Sequence, residues 1–74
     1  MSKLDFYKNT IQHLQKRQEL LLKLELTLQE MKELAVYRTE HGLSEDEVLH
    51  LQQSFQSLQT KAEQLQNELD KHVQ

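Results

Sequence analysis

Four histidines and one Glu-x-x-His spacing are the features of this sequence best suited to binding a metal ion. The histidines are His13, His41, His50 and His72, and the spacing joins Glu47 to His50. Di-iron helical bundles use the same spacing, but they need a second such motif and two further carboxylates that face inward. Glu47 is better placed to cap the start of a helix, and His50 lies beside an apolar stripe rather than in it. We therefore predict no metal site and no cofactor.

Residue types that perform nucleophilic or acid–base catalysis are scarce. The chain has no Cys and one Gly, so it has neither a thiol nucleophile nor a glycine-rich phosphate loop. Eleven glutamines are present, and Gln52, Gln53 and Gln56 are of a type that can orient a hydrolytic water. Glutamine is more often uncharged filler on a coiled-coil surface, and we predict that the chain is not an enzyme.

The second half of the chain has the pattern of one amphipathic helix. Its apolar positions alternate spacings of three and four, as in a heptad repeat. Ser44 and Glu47 have the Ser-x-x-Glu spacing of a capping box, and Leu43 with Val48 fits a hydrophobic staple around it. The stripe consists of Val48, Leu51, Phe55, Leu58, Ala62, Leu65, Leu69 and, at its end, His72.

The first half predicts a longer helix with a less regular stripe. Its apolar pattern slips by one residue between Leu21 and Leu24, and Gly42 supplies the left-handed position that commonly ends a helix. We expect helices over about residues 3–40 and 44–73, joined by a turn at 41–43, as one domain. The stripe is Leu4, Tyr7, Ile11, Leu14, Gln18, Leu21, Leu24, Leu28, Met31 and Ala35.

The two stripes pair when the chain folds back at Gly42. Ala35 then faces Val48, and the pairing continues to Ile11 against His72. Because this register is centred on the one helix breaker, the sequence predicts an all-α fold, an antiparallel two-helix hairpin with coiled-coil-like packing.

A two-helix seam is a thin core, and small proteins without disulfides or metals usually need oligomerisation. The first helix carries surplus apolar residues beside or opposite the predicted seam, which predicts a protein partner, most simply a second copy that completes a four-helix bundle. The alternative is a broad core face with some exposed leucines. Gln18 either fixes the register of the seam or reaches solvent at its edge. The candidate interface residues are Leu20, Leu22, Leu26, Leu34, Val36 and Tyr37.

Composition limits the other classes of partner. The formal net charge is −3 and no basic patch exists, so we predict no nucleic-acid binding. No apolar run approaches the length of a membrane span, and no signal peptide is expected at the N-terminus. The absence of Cys fits a reducing compartment. We predict a cytoplasmic adaptor, small regulator or assembly subunit that acts through helix faces.

One segment bears on a second function. Residues 37–58, which include His41-Gly42-Leu43-Ser44 and the acidic helix start after it, resemble the turn and second helix of the small sporulation-regulating aspartyl-phosphate phosphatases. Those proteins are helical hairpins that act on a phosphorylated response regulator through a Ser-Gln-Glu-Leu-Asp signature. The corresponding stretch here is Gln52-Gln53-Ser54-Phe55-Gln56, in which Gln53 alone agrees. The resemblance implies a phosphorelay regulator that binds without dephosphorylating.

Overall fold

The computed structural model describes residues 2–73 and the side chains of residues 2–72. It contains two helices, α1 (Lys3–Glu40) and α2 (Glu45–Val73), which pack against each other. The connection between them is four residues long, so the helices run antiparallel. The molecule measures 62 × 17 × 13 Å, an elongated rod two helices wide. The predicted all-helical hairpin is confirmed.

Polar caps start both helices. Ser2 caps α1, where its Oγ accepts a hydrogen bond from the Asp5 N–H at 3.2 Å. Ser44 caps α2 by accepting from the Glu47 N–H at 3.2 Å, and its own hydroxyl donates to Glu47 Oε1 at 3.1 Å. In the predicted capping box the Glu47 carboxylate returns to the Ser44 backbone; here it bonds the Ser44 hydroxyl instead. Either arrangement satisfies an N-terminal amide that the helix itself leaves unpaired.

The end of α1 differs from the prediction, because Gly42 does not adopt a left-handed conformation. No residue of the described chain has a positive φ, and His41 leaves the helix in an extended conformation. The His41 N–H donates to the Tyr37 carbonyl oxygen at 3.1 Å, and His41 Nδ1 lies 3.0 Å from the same oxygen. The His41 ring also stacks on the Tyr37 ring, with centroids 4.0 Å apart. Side-chain contacts therefore close this helix, and the glycine is not required for it.

The seam between the helices uses a different stripe of α1 from the one predicted. Leu24 and Met31 face α2 as predicted, whereas Leu21 and Leu28 are about half exposed. The register also differs, because His72 lies against His13 rather than Ile11. The physical reason is that positions one residue earlier keep the three–four spacing without the slip. We call these positions the seam stripe: Leu20, Leu24, Thr27, Met31 and Leu34.

The core is small and lies far from the turn. Leu20, Leu65 and Leu69 are buried together, with Leu24 packed against them. Thr27 is also buried, and its hydroxyl donates to the Lys23 carbonyl oxygen at 2.7 Å. Toward the turn, the seam residues are half-buried. α2 contributes the apolar stripe predicted for it, with Val48, Leu51, Phe55, Leu58 and Ala62 half-buried and Leu65 and Leu69 buried.

Candidate interaction surfaces

Exposed apolar side chains are concentrated on α1. Among residues 2–72, twelve large apolar side chains are exposed, and Leu49 is the one that belongs to α2. Single exposed leucines are ordinary on protein surfaces, but runs of them on one element mark interaction sites. The surface of α1 is therefore the first candidate functional site.

One group of these residues forms a continuous stripe beside the seam. Each of its members in the middle of α1 follows a seam position by one residue, as Leu21 follows Leu20 and Leu28 follows Thr27. One residue of helix rotates the side chain by about 100°, so this group runs parallel to the seam stripe and about 100° around the helix from it. Its apolar members are exposed by 47–76%. We call it the outer stripe: Leu4, Tyr7, Ile11, Leu14, Gln18, Leu21, Glu25 and Leu28.

The structure divides the six predicted interface residues into two sets. Leu20 is 1% exposed in the core, and Leu34 is half-buried in the seam, so neither is free for a partner in this conformation. The other four lie on the side of α1 turned away from α2, with exposures of 42–57%. Ten residues, about 15 Å of helix, separate the first pair from the second. We call these four residues the back face: Leu22, Leu26, Val36 and Tyr37.

The first ten residues of α1 extend past the end of α2. His13 of α1 contacts His72, which is next to the last residue of α2. Residues 3–12, the N-terminal arm, therefore have no neighbouring helix within the chain. The arm nevertheless carries Leu4, Phe6, Tyr7 and Ile11, each more than half exposed.

The open end of the hairpin is closed by a pair of histidines. His13 Nε2 lies 2.8 Å from the His72 carbonyl oxygen, and the two Nδ1 atoms are 3.4 Å apart. The ring of His13 thus satisfies a carbonyl at the C-terminus of α2 that the helix leaves unpaired. Within residues 2–73 the structure has no group of three or more His, Cys, Asp or Glu side chains that could hold a metal ion.

The Glu-x-x-His pair lies at the start of α2. The Glu47 carboxylate accepts the Ser44 hydroxyl, and His50 is exposed outside the seam. The two residues act separately in this structure, one as part of a helix cap and the other on the solvated surface.

A groove of about 630 Å³ lies between the helices near the turn. Its floor is apolar, with Leu34, Leu51 and Phe55, and its rim is polar. Gln52 and Gln56, which belong to the stretch that resembles the phosphatase signature, line it; Gln53, the residue that agrees with the signature, does not. The polar rim consists of Arg38, Thr39, Gln52, Gln56 and Gln59.

Charged groups contribute little fixed geometry to these surfaces. Lys16 Nζ and Glu19 Oε2 are 4.0 Å apart on exposed side chains, at the limit of an ion pair. Exposed pairs of this kind contribute little to stability. Recognition by α1 therefore depends on the shape and spacing of its apolar side chains.

Sequence reasoning missed Thr27 as a core residue, His13 as a contact of α2, and Ser2 as a helix cap. Thr27 and His13 do fall on the stripe that keeps three–four spacing through Leu20, so spacing was the available signal. The side-chain type argued against them, since threonine and histidine are rarer in cores than leucine. Ser2 stands three residues before Asp5, a spacing close to that of a capping box.

No protein-family model, curated protein or solved structure matches this chain. The resemblance of residues 37–58 to the small phosphatases thus stays a hypothesis. Within the described residues, neither helix has a segment both long and apolar enough to cross a lipid bilayer.

Proposed function

We propose that this chain is a cytoplasmic protein–protein interaction module, a small adaptor, regulator or assembly subunit that binds through the exposed side of α1. It acts without catalysis. In this proposal α2 has a supporting role, since its apolar stripe faces α1 and holds the long helix straight.

The observation that carries the proposal is the unequal distribution of exposed apolar residues. Eleven of the twelve large apolar side chains that are exposed among residues 2–72 belong to α1. Removing apolar surface from water stabilises an association by roughly 25 cal/mol per Å². A helix that keeps this much apolar surface outside its own hairpin has the surface a helical partner needs.

Photo-cross-linking in the host cell tests this proposal. A photoreactive amino acid is placed on α1 at Leu22 or Leu28, and at Gln66 on the polar side of α2 as the matched control. We expect protein adducts from the α1 positions and none from Gln66. Equal yields from both helices, or no adduct from α1, would remove the proposal.

A second candidate function is favoured by the groove near the turn. The stretch that resembles the phosphatase signature contributes Gln52 and Gln56 to this groove, next to Arg38. Amide and guanidinium groups over an apolar floor suit a partner with a carboxylate or phosphoryl group at its surface. In this candidate function the chain is a phosphorelay regulator that holds a phosphorylated receiver domain without hydrolysing it.

Binding to a panel of phosphorylated receiver domains tests the second candidate. Gln56→Ala changes a residue that lines the groove, and Gln53→Ala is the control outside it. Weaker binding by Gln56→Ala with unchanged binding by Gln53→Ala supports the groove. Absence of binding by the unaltered chain rejects this function and leaves the α1 proposal untouched.

A further inference from the structure

We propose that the partner of the outer stripe is a second copy of this chain, with the two α1 helices packed antiparallel about a twofold axis level with residue 16. This inference rests on the proposed function, because it names the occupant of the surface through which α1 binds.

The geometry of α1 suits a helix at the corner of a four-helix bundle. Such a helix touches two neighbours about 90° apart, and α1 carries two parallel stripes about 100° apart. α2 covers the seam stripe. The outer stripe keeps an unbroken three–four spacing from Leu4 to Leu28, the repeat by which one helix packs its side chains between those of another.

The residues of the outer stripe complement themselves when two copies run antiparallel. An axis level with residue 16 sets Leu4 against the partner's Leu28 and Ile11 against the partner's Leu21. Every layer then joins positions that antiparallel coiled coils bring together. The stripe needs no second sequence to fill it.

The two polar members of the outer stripe decide between the possible arrangements. In this register Tyr7 faces the partner's Glu25, so the Tyr7 hydroxyl can donate to that carboxylate. Gln18 lies beside the partner's Gln18 across the axis, and their amides can bond each other. A parallel pair would instead stack Glu25 on the partner's Glu25, which buries like charges without a counter-charge. Polar residues at such positions commonly fix register and orientation.

The N-terminal arm gains its neighbouring helix from the same arrangement. Residues 3–12 lie beyond the end of α2, and the twofold axis places them beside residues 20–29 of the second copy. An isolated helical segment of this length is marginal in water. The exposed Leu4 and Tyr7 of the arm are then covered by the partner's Leu28 and the helix turns around its Glu25.

The size of the contact predicts a dimer that exchanges with the monomer. The stripe from residue 4 to residue 28 is about 37 Å long on a helix about 10 Å wide, on the order of 400 Å² of projected area for each copy. That area is at the low end for specific complexes, for which a dissociation constant on the order of micromolar is ordinary.

Sedimentation of the purified full-length chain from micromolar to millimolar concentration tests the dimer. The unaltered chain should double its mass over this range. Leu14→Glu places a charge in a central layer of the proposed interface and should weaken the dimer by about tenfold or more. Leu26→Glu, on the back face and of similar exposure, should change the dissociation constant by less than about threefold.

Circular dichroism confirms that both variants keep their helices, which is expected because both side chains are exposed in the single chain. A chain that stays monomeric to millimolar concentration overturns the inference. An equal effect of Leu14→Glu and Leu26→Glu overturns the assignment to the outer stripe.

Orientation is tested by cross-linking, since the natural chain has no cysteine. Chains with Ile11→Cys are mixed with chains with Leu21→Cys and treated with a short bismaleimide. The antiparallel arrangement predicts that the mixed product dominates, because two copies of position 11 would be about 15 Å apart along the axis. Dominant products of like with like would show a parallel dimer and overturn the proposed register.

The photo-cross-linking experiment on α1 separates this inference from the proposed function. Adducts at Leu28 with the mass of two chains support both. Adducts to other proteins alone leave the proposed function standing and reject the second copy as the occupant.

Discussion

The two helices of this hairpin have similar polar content but divide their apolar residues in different ways. α2 places its apolar residues on one stripe, all facing α1, and the flanks of that stripe are Gln, Ser, Glu and Lys. α1 has a seam stripe, an outer stripe and a back face, and the last two remain exposed. A helix with one apolar stripe needs one neighbour, and a helix with several needs more. The difference identifies α2 as the supporting element and α1 as the element that has surface for a partner.

Adjacent leucines on α1 give the sharpest test of this contrast. Leu20 is 1% exposed and Leu21 is 47% exposed, although they are neighbours in sequence. We expect Leu20→Ala to lower the free energy of unfolding by about 2–5 kcal/mol, because it leaves a cavity in the core. Leu21→Ala should change it by about 0.5 kcal/mol or less in the monomer.

Urea unfolding at the lowest practical protein concentration, followed by circular dichroism, measures both values without a contribution from dimerisation. Equal effects of the two substitutions would mean that the seam and outer stripes have been assigned to the wrong faces of α1.

The two serine caps make the next comparison. Ser44→Ala removes the hydrogen bond to the Glu47 N–H at the start of the packed helix α2 and should cost about 1 kcal/mol. Ser2→Ala removes the equivalent bond in the N-terminal arm, which packs on nothing within the chain. We expect its effect on global unfolding to be much smaller, because the arm can fray without opening the hairpin.

Thermal unfolding of the two cap variants checks this order. A larger effect at Ser2 than at Ser44 would show that the arm is part of the cooperative unit of the monomer.

The connection between the helices should tolerate a side chain. An added Cβ at Gly42 would meet no atom within 4 Å, and φ is not positive there. Gly42→Ala is therefore expected to stabilise the hairpin by about 0.4–1 kcal/mol, because it restricts the unfolded chain. A destabilisation in urea would show that the residue needs the left-handed conformation that its identity first suggested.

The smallest effect is expected at Thr27, the polar residue of the seam stripe. Its hydroxyl bonds the Lys23 carbonyl within the same helix, so Thr27→Val leaves no cross-helix group unpaired. The added methyl is buried against α2, and we expect a gain of a few tenths of a kcal/mol, up to about 0.8. A loss of more than about 1 kcal/mol would indicate that the hydroxyl has a further role in the packing.

The helices and their antiparallel pairing could be predicted from sequence because α2 leaves no ambiguity. One apolar stripe and one capping serine fix its start and its buried face. For α1 two stripes compete, and Leu21 and Leu28 score better by side-chain type than Leu20 and Thr27. Because the sequence pattern does not rank two apolar faces of one helix, the seam was assigned to the wrong one of them. Two predicted interface residues, Leu20 and Leu34, were lost by the same error, while Leu22 and Leu26 remain exposed.

The position of the core has a consequence for how the chain folds. Leu20 packs with Leu65 and Leu69, which are 45 and 49 positions later in sequence, while the pairs beside the connection are only half-buried. A hairpin that closed like a zipper from its loop would form its weakest layers first. We expect the rate-limiting step to be the meeting of the two distant ends, after the loop-closure entropy has been lost. Substitutions at Leu65 should then slow refolding, and substitutions near the loop should mainly speed unfolding.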